Sequence, residues 1–296
     1  MSKKRKNAQK KSTNRTSTHS DRKLTASDNN NSIWKKRFDS FPLHLVSNVG
    51  YADKDNSGEL HELCKGRVWV IPSFFSHKEC RAWVDFCESF SSSNGENGFK
   101  YTAHPASKFV ANRECHRLQQ ENATELSERI FERLRGMKVK TNNSDDENDD
   151  KSSILMQIQK ETADLYPPIR SHNGKQATDY KPINCNPNIR VYRYDEGHSF
   201  GRHVDESNFV SGRRGGTTEM TMLIYLSTCQ GGATRFHRSA TGGRRSRQTS
   251  SSFGFEPQVG ALLLHVHGKH CLEHEADVVL GGKKYVLRTD LVYGNE

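Results

Sequence analysis

Large apolar residues are almost absent from Met1 to about Ser32, and further along the chain they arrive in two different rhythms. "RVWVIPSFFS" (67–76) is a run of branched and aromatic residues that predicts a strand ending at Pro72 and then a turn. "SHKECRAWVDFCESF" (76–90) changes period. Cys80, Trp83, Val84 and Cys87 recur at helical spacing, and Ser76 stands where an N-cap belongs. "NATELSERIFERLRGM" (122–137) predicts a second amphipathic helix, with Leu126, Ile130, Phe131 and Leu134 on one face. After Asn184 strands dominate: "NIRVYRY", "EMTMLIYLS", "ATRFH", "GALLLHV" and "KKYVLRTDLVY" are short and separated by glycine or polar turns. That succession predicts a β-sandwich or barrel.

Two stretches interrupt the pattern. "TNNSDDENDDKSS" (141–153) is acidic and carries no apolar residue, which predicts an exposed insertion or loop. "RSATGGRRSRQTSSS" (238–252) has the Gly, Ser and Arg content of a flexible surface loop. No internal repeat is present.

Composition narrows the class. The chain has 296 residues, 32% hydrophobic and 27% charged, enough for one large domain or two small ones. No apolar run approaches the roughly 18 to 20 residues that span a bilayer, and the N-terminus has no apolar signal core. The expectation is an intracellular protein of nucleus or cytoplasm with no membrane contact. The seven cysteines are odd in number, dispersed and without a CxxC pair, so free thiols are expected rather than a zinc ribbon or disulfide framework. The net charge of +10 is uneven: residues 1–37 hold twelve Lys/Arg and two Asp/Glu, and the remainder holds 33 of each sign. The basicity belongs to a disordered tail (1–37). "KKRK" (Lys3–Lys6) resembles a nuclear-entry or RNA-contact signal, and the tail is a candidate for contact with nucleic acid or ribosomes.

One motif is a decoy. "DKDNSGEL" (Asp53–Leu60) imitates a calcium loop, but Cys64 occupies the position that needs a bidentate glutamate. An acidic turn is expected instead.

The candidate chemistry lies in "FGRHVDES" (Phe200–Ser207). In a strand, residues two apart face the same way, so His203 and Asp205 can reach one point. A surface ion pair would be the bland reading, and a metal needs a third ligand. "LLLHVHGKHCLEHEADVV" offers His265, His267, His270 and His274 for it. Further on, Lys284 and Arg288 fall on one strand face with Val286. A cation inside a barrel is costly unless paired, and a bound carboxylate would pair it. Two histidines and one carboxylate leave metal positions open, the arrangement of non-haem Fe(II) oxygenases; a structural zinc site would be closed and usually carries cysteine.

The segment "NIRVYRYDEGHSFGRHVD…TMLIYLS…GGATRFH…PQVGALLLHVHGKHCLEHEADVVLGGKKYVLRTDLVY" resembles the catalytic core of the 2-oxoglutarate- and Fe(II)-dependent dioxygenases, in their prolyl 4-hydroxylase-like branch. The likeness spans about Asn188 to Tyr293, and "VWVIPSFFSHKECRAWV" resembles the N-terminal part of that domain. The resemblance implies an α+β fold: a double-stranded β-helix (jelly-roll) barrel core with supporting N-terminal helices. The dioxygenase domain would span 66–295, with its catalytic core at about 184–295. It implies His203, Asp205 and His274 as iron ligands, with His270 the rival for the last place. Lys284, or Arg288 in its stead, would hold the far carboxylate of 2-oxoglutarate, helped by Tyr194 and Tyr225. The structural alternatives are that Tyr194 and Tyr225 are core aromatics and that Arg288 pairs with Asp290. Arg113 and Arg117 look like a substrate-side or structural arginine pair. The implied cofactors are Fe(II), 2-oxoglutarate, O2 and L-ascorbate. The implied reaction is hydroxylation of a C–H bond, with release of succinate and CO2, in a protein or peptide side chain such as proline. The rival reading from another class is a catalytically inactive oxygenase-fold scaffold tethered by its basic tail. A metal-dependent hydrolase, which predicts bound zinc, is a third.

Overall fold

The strands Leu262–Val266 and Lys284–Gly294 are buried along nearly their whole length, and alternation sends their successive side chains to opposite faces. The structure, a computed structural model, describes residues 41–46, 57–91, 98–108, 110–139, 153–167, 169–170, 177–212, 215–238 and 251–295. These lie in one compact unit, Arg37–Glu296. The expected basic tail, residues 53–56 of the calcium-like turn, residues 141–152 of the acidic stretch and residues 239–250 of the Arg/Ser/Gly stretch fall outside the described residues.

The main sheet has fourteen strands. In chain order they are β1 His61–Cys64, β2 Val68–Ile71, β3 Lys100–His104, β4 Arg113–Gln120, β5 Lys181–Cys185, β6 Ile189–Tyr194, β7 Phe200–His203, β8 Phe209–Val210, β9 Gly216–Tyr225, β10 Thr234–His237, β11 Ser252–Phe255, β12 Leu262–Val266, β13 Glu273–Ala276 and β14 Lys284–Gly294. Along the path the order is β11-β10-β13-β7-β4-β6-β14-β9-β12-β2-β1, with β3, β5 and β8 pairing at its margins. All of these pairings are antiparallel. Among the described residues, the four strands β11-β10-β13-β7 pair with the rest of the sheet only where Phe200 meets Arg113. The sheet bends there into the two facing layers of a jelly roll, as residues of both layers line one cavity.

The alternation is plain in β9, β12 and β14. Met220, Met222 and Ile224, with Leu262, Leu264, Leu287 and Leu291, join the larger core, which includes the helix residues Cys80, Trp83, Leu126, Ile130 and Leu134. Their neighbours Tyr225, Leu263 and Val286 belong to a second core with Phe236 and Phe255 between the layers. This two-sided burial explains why "GALLLHV" is apolar without interruption up to His265.

The two predicted helices form, as α1 His77–Ser91 and α2 Thr124–Gly136. Ser76 caps α1 as expected: its Oγ accepts from Glu79 N (3.2 Å), and Glu79 Oε2 accepts from Ser76 N (2.8 Å), a reciprocal capping box. Glu79 has a second task. Arg133 of α2 donates to both its carboxylate oxygens (2.6 and 3.1 Å) and to Phe74 O (3.1 Å). This buried ion pair fixes α1 against α2 on the outer face of the sheet. Gly260 keeps the strand turn before β12 close to the same region. A Cβ there would lie 2.1 Å from Phe75 O, and its φ of +84° suits glycine alone.

Several elements were not legible in the side-chain pattern. "RECHRLQQ" (β4) is polar, with only Cys115 and Leu118 buried, and is a strand because its backbone is paired on both sides, by β3 and β6. A third helix, Ile154–Glu161, follows the acidic stretch directly. The strand carrying the HxD pair stops at His203, so Asp205 lies beyond it rather than within it.

Removing one partner of the Glu79–Arg133 pair should leave an uncompensated buried charge. We expect Arg133→Leu to lower unfolding stability by roughly 3 kcal/mol in urea titrations, and the double variant Glu79→Leu/Arg133→Leu to recover most of that loss.

Candidate functional site

The ladder between β7 and β13 sets His203 directly opposite His274. Their ring centroids are 4.2 Å apart. Each ring is oriented through its Nδ1, which donates to a backbone carbonyl: His203 to Gly201 O (2.8 Å) and His274 to Leu272 O (2.9 Å). Both Nε2 atoms therefore present lone pairs toward the cavity. A Cβ at Gly201 would lie 2.0 Å from Asn112 Oδ1, so a larger residue there would displace the Asn112 side chain. Asp205 comes back into the same space although it lies outside the strand. Its backbone oxygen accepts from Gly268 N (2.9 Å), and its carboxylate lies 3.8 Å from His203 Nε2 and 3.7 Å from His274 Nε2. His203, Asp205 and His274 thus form a convergent group of ligand-type atoms.

Asp205 is buried and heavily supported. Thr221 donates to its Oδ2 (2.7 Å), and the Thr221 hydroxyl lies 2.7 Å from His267 Nε2. Arg288 Nη2 lies 3.1 Å from the same oxygen. Burial opposes ionisation, but the Arg288 guanidinium and the surrounding imidazoles hold the carboxyl well below the usual carboxylate range. Burial pushes His203 down to about 3, with the His274 ring adding to the effect, and burial also lowers His274. The group is one carboxylate and two neutral imidazoles, the protonation a divalent metal needs. A nitrogen–nitrogen–oxygen set with open positions fits a first-row divalent ion such as iron(II).

Lys284 lies deeper, on β14 opposite Tyr194 of β6. It is 2% exposed, and no carboxylate among the described residues lies within ion-pair distance. Its Nζ donates to Gly232 O (2.6 Å) and sits 5.4 Å and 5.7 Å from the centroids of Tyr194 and Tyr225. Burial lowers its pKa to about 8. A buried cation walled by aromatics and lacking an acid suits a ligand carboxylate.

The other expected residues divide clearly. Tyr194 lines this cavity. Tyr225 hydrogen-bonds Thr234 (2.7 Å), which lines it, and packs in the inner core. The guanidinium of Arg288 is taken up by Asp205 and Asp290. Among the four histidines of the later segment, His265 and His274 line the cavity, His267 backs Thr221, and His270 sits in the turn Gly268–His270 away from it. Thr221 was not read from the sequence, where its only signal was a polar residue between apolar ones in "MTMLIY"; His265 was offered there only as one of four possible third ligands. Cys271 lies 3.9 Å from His274 Nδ1, but burial pushes its thiol up to about 11, which disfavours a thiolate ligand.

A second convergent group, His116, Asp195 and His198, flanks the cavity. It is poorly suited to a metal. Asp195 N donates to His198 Nδ1 (3.2 Å), so the neutral ring carries its proton on Nε2, facing Glu114 (3.6 Å). Arg193 already pairs with Asp195 (3.2 Å).

Residues 189–289 match the family model of the 2OG-Fe(II) oxygenase superfamily, about a third of the chain. The chain therefore carries a domain of that superfamily, whose members take Fe(II), 2-oxoglutarate and O2. Solved structures are similar over most of the chain at low identity. Viral collagen prolyl hydroxylase from Paramecium Bursaria Chlorella virus-1 is 15% identical, with 77% of this chain and 98% of that chain covered and a TM-score of 0.37. A Pseudomonas putida prolyl-4-hydroxylase is 13% identical, with 76% and 92% covered and a TM-score of 0.42. HygX from Streptomyces hygroscopicus, solved with nickel and 2-oxoglutarate, is 13% identical, with 78% and 84% covered and a TM-score of 0.40. No curated protein matches.

The lysine gives a test of the cavity's electrostatics. Its folded pKa of about 8 lies below the ordinary 10.5, so the fold disfavours its charge. That deficit is full below about pH 8 and is relieved as pH rises toward 10.5. Lys284→Met should therefore raise the stability of the ligand-free protein at pH 7 by about 1–3 kcal/mol, with the gain vanishing by about pH 10 in urea titrations.

Proposed function

We propose that the protein is an Fe(II)- and 2-oxoglutarate-dependent dioxygenase that hydroxylates a C–H bond in a protein side chain, releasing succinate and CO2. The observation that carries this reading is the pairing of two features in one cavity: the His203–Asp205–His274 group and the unpaired, buried Lys284. His203, Asp205 and His274 would hold the iron. Lys284 would bind the far carboxylate of the co-substrate, with Tyr194 walling the pocket. Iron bound there would supply oxygen activation coupled to decarboxylation of the 2-oxo acid.

The remaining residues prepare the site. Arg288 and Thr221 keep Asp205 ionised and fixed before any metal arrives. The Nδ1–carbonyl bonds hold both rings in the tautomer that can ligate. Phe236, Val286 and Tyr225 close the cavity's inner end against water. The protein-side-chain substrate, with proline as the first choice, rests on the likeness of the Asn188–Tyr293 segment to the prolyl 4-hydroxylase-like branch. Ascorbate support of turnover belongs to the same proposal.

The test is spectroscopic. Anaerobic addition of Fe(II) and 2-oxoglutarate should give the visible charge-transfer band of an iron–2-oxo acid chelate. His203→Ala should abolish the band, and Lys284→Ala should raise the 2-oxoglutarate concentration needed for it at least tenfold. With O2, succinate should form only when 2-oxoglutarate is present. A folded wild type with neither band nor succinate would leave the inactive scaffold as the better reading, and bound zinc with no response to 2-oxoglutarate would favour a hydrolase.

A further inference from the structure

Among the described residues, two that line the triad's cavity have a buried side-chain nitrogen without a hydrogen-bond partner: His265, through Nε2, and Arg113, through Nε. His265 lies deep, its Nε2 3.5 Å from Asp205 Oδ2. Arg113 is half-buried, at the level where β4 meets β7, and no carboxylate among the described residues lies within ion-pair distance of it.

The guanidinium is nevertheless held in place. Its central carbon lies 3.7 Å from the ring centroid of Phe200 and 5.9 Å from that of Tyr192. Phe200 also stacks on His203, with centroids 3.8 Å apart and planes at 23°. Two groups so close to one ring centroid must occupy its opposite faces. Guanidinium, phenyl and imidazole thus form one stack that ends on the candidate metal ligand. An arginine positioned this way has paid most of its ordering entropy and keeps its donors free.

The nearby acids are already engaged. Glu114 accepts from the Tyr101 hydroxyl, and Glu275, on the cavity wall, pairs with His237 (2.8 Å) and Arg202 (3.6 Å). The other guanidinium lining the cavity, Arg288, is engaged by Asp205 and Asp290, and around it Arg193 pairs with Glu88 and Asp195, Arg202 with Glu273 and Glu275, and Arg235 with Asp277. One uncommitted guanidinium suits a single carboxylate. A nucleic-acid backbone would call for several cations. The co-substrate's far carboxylate has its own buried partner in Lys284.

We propose that Arg113 receives the carboxylate of an acidic side chain in the polypeptide substrate, close to the residue that is oxidised. This rests on the dioxygenase reading and adds a specificity determinant to it. The test uses the full chain loaded anaerobically with Fe(II) and 2-oxoglutarate and titrated with the peptides Ac-Pro-Glu-NH2 and Ac-Pro-Gln-NH2, followed by NMR. The wild type should bind the glutamate peptide about tenfold more tightly, the worth of one charge-assisted contact. Arg113→Gln should bring the ratio to one while leaving the chelate band unchanged, and Arg113→Lys should keep an intermediate preference. Equal binding of the peptides, no binding of either, or a preference that survives Arg113→Gln would overturn the proposal. Loss of the band in Arg113→Gln would overturn it too, because Arg113 would then be a co-substrate ligand. Tight binding of a short single-stranded RNA that depends on Arg113, without discrimination between the peptides, would likewise overturn it. Absence of the band in the wild type would instead overturn the dioxygenase reading, a separate result.

Discussion

A buried carboxylate is the constraint around which this molecule is arranged. Taking the Asp205 charge out of water costs several kcal/mol unless donors meet it. Arg288 from β14 and Thr221 from β9 supply them, and the imidazole Nε2 atoms of His203, His265 and His274, from β7, β12 and β13, converge on it at 3.5–3.8 Å. A one-residue slip of any of these strands would turn its contributing side chain to the other face. The register of the barrel and the integrity of the site are therefore one requirement.

The cavity is electrically lopsided. At one end an anion is surrounded by hydrogen-bond donors and nitrogen ligands; at the other, Lys284 has aromatic walls and one carbonyl for company. A metal would complete the first end and a carboxylate the second. A molecule that chelates with one terminus and carries an acid at the other spans both, which is the chemistry of a 2-oxo dicarboxylate. Arg288, expected to compete with Lys284 for that acid, instead has its charge spent on Asp205 and Asp290. It acts on the site through Asp205.

Much of the fold was legible in the chain. The helices at 77–91 and 124–136 followed from apolar spacing, because each packs one stripe on the sheet. Strands β6, β9, β10, β12 and β14 followed from short apolar runs. Strand Arg113–Gln120 could not be found this way: its ladder partners are distant in sequence, and its side chains are mixed in burial. Its consequence was hidden too, since only the ladder sets Arg113 beside Phe200. The HxD pair was read as two positions of one strand. The chain ends the strand at His203 and returns Asp205 through contacts with Gly268 and Cys271.

The sequence by itself determined which residues could ligate a metal, where the main apolar strands and two helices lie, and that two cations on one face needed anionic partners. Those properties depend on residue type and on periods of two and 3.6, which are local. Only the tertiary structure placed His274 opposite His203, set Arg288 against Asp205 and Asp290 while Lys284 has no acid among the described residues, and left Arg113 without an ion pair. Each of those outcomes depends on which atom of one strand lies within about 4 Å of an atom on another. Coulombic and hydrogen-bond partners are chosen by distance in space, and strand order in this sheet does not follow the order of the chain.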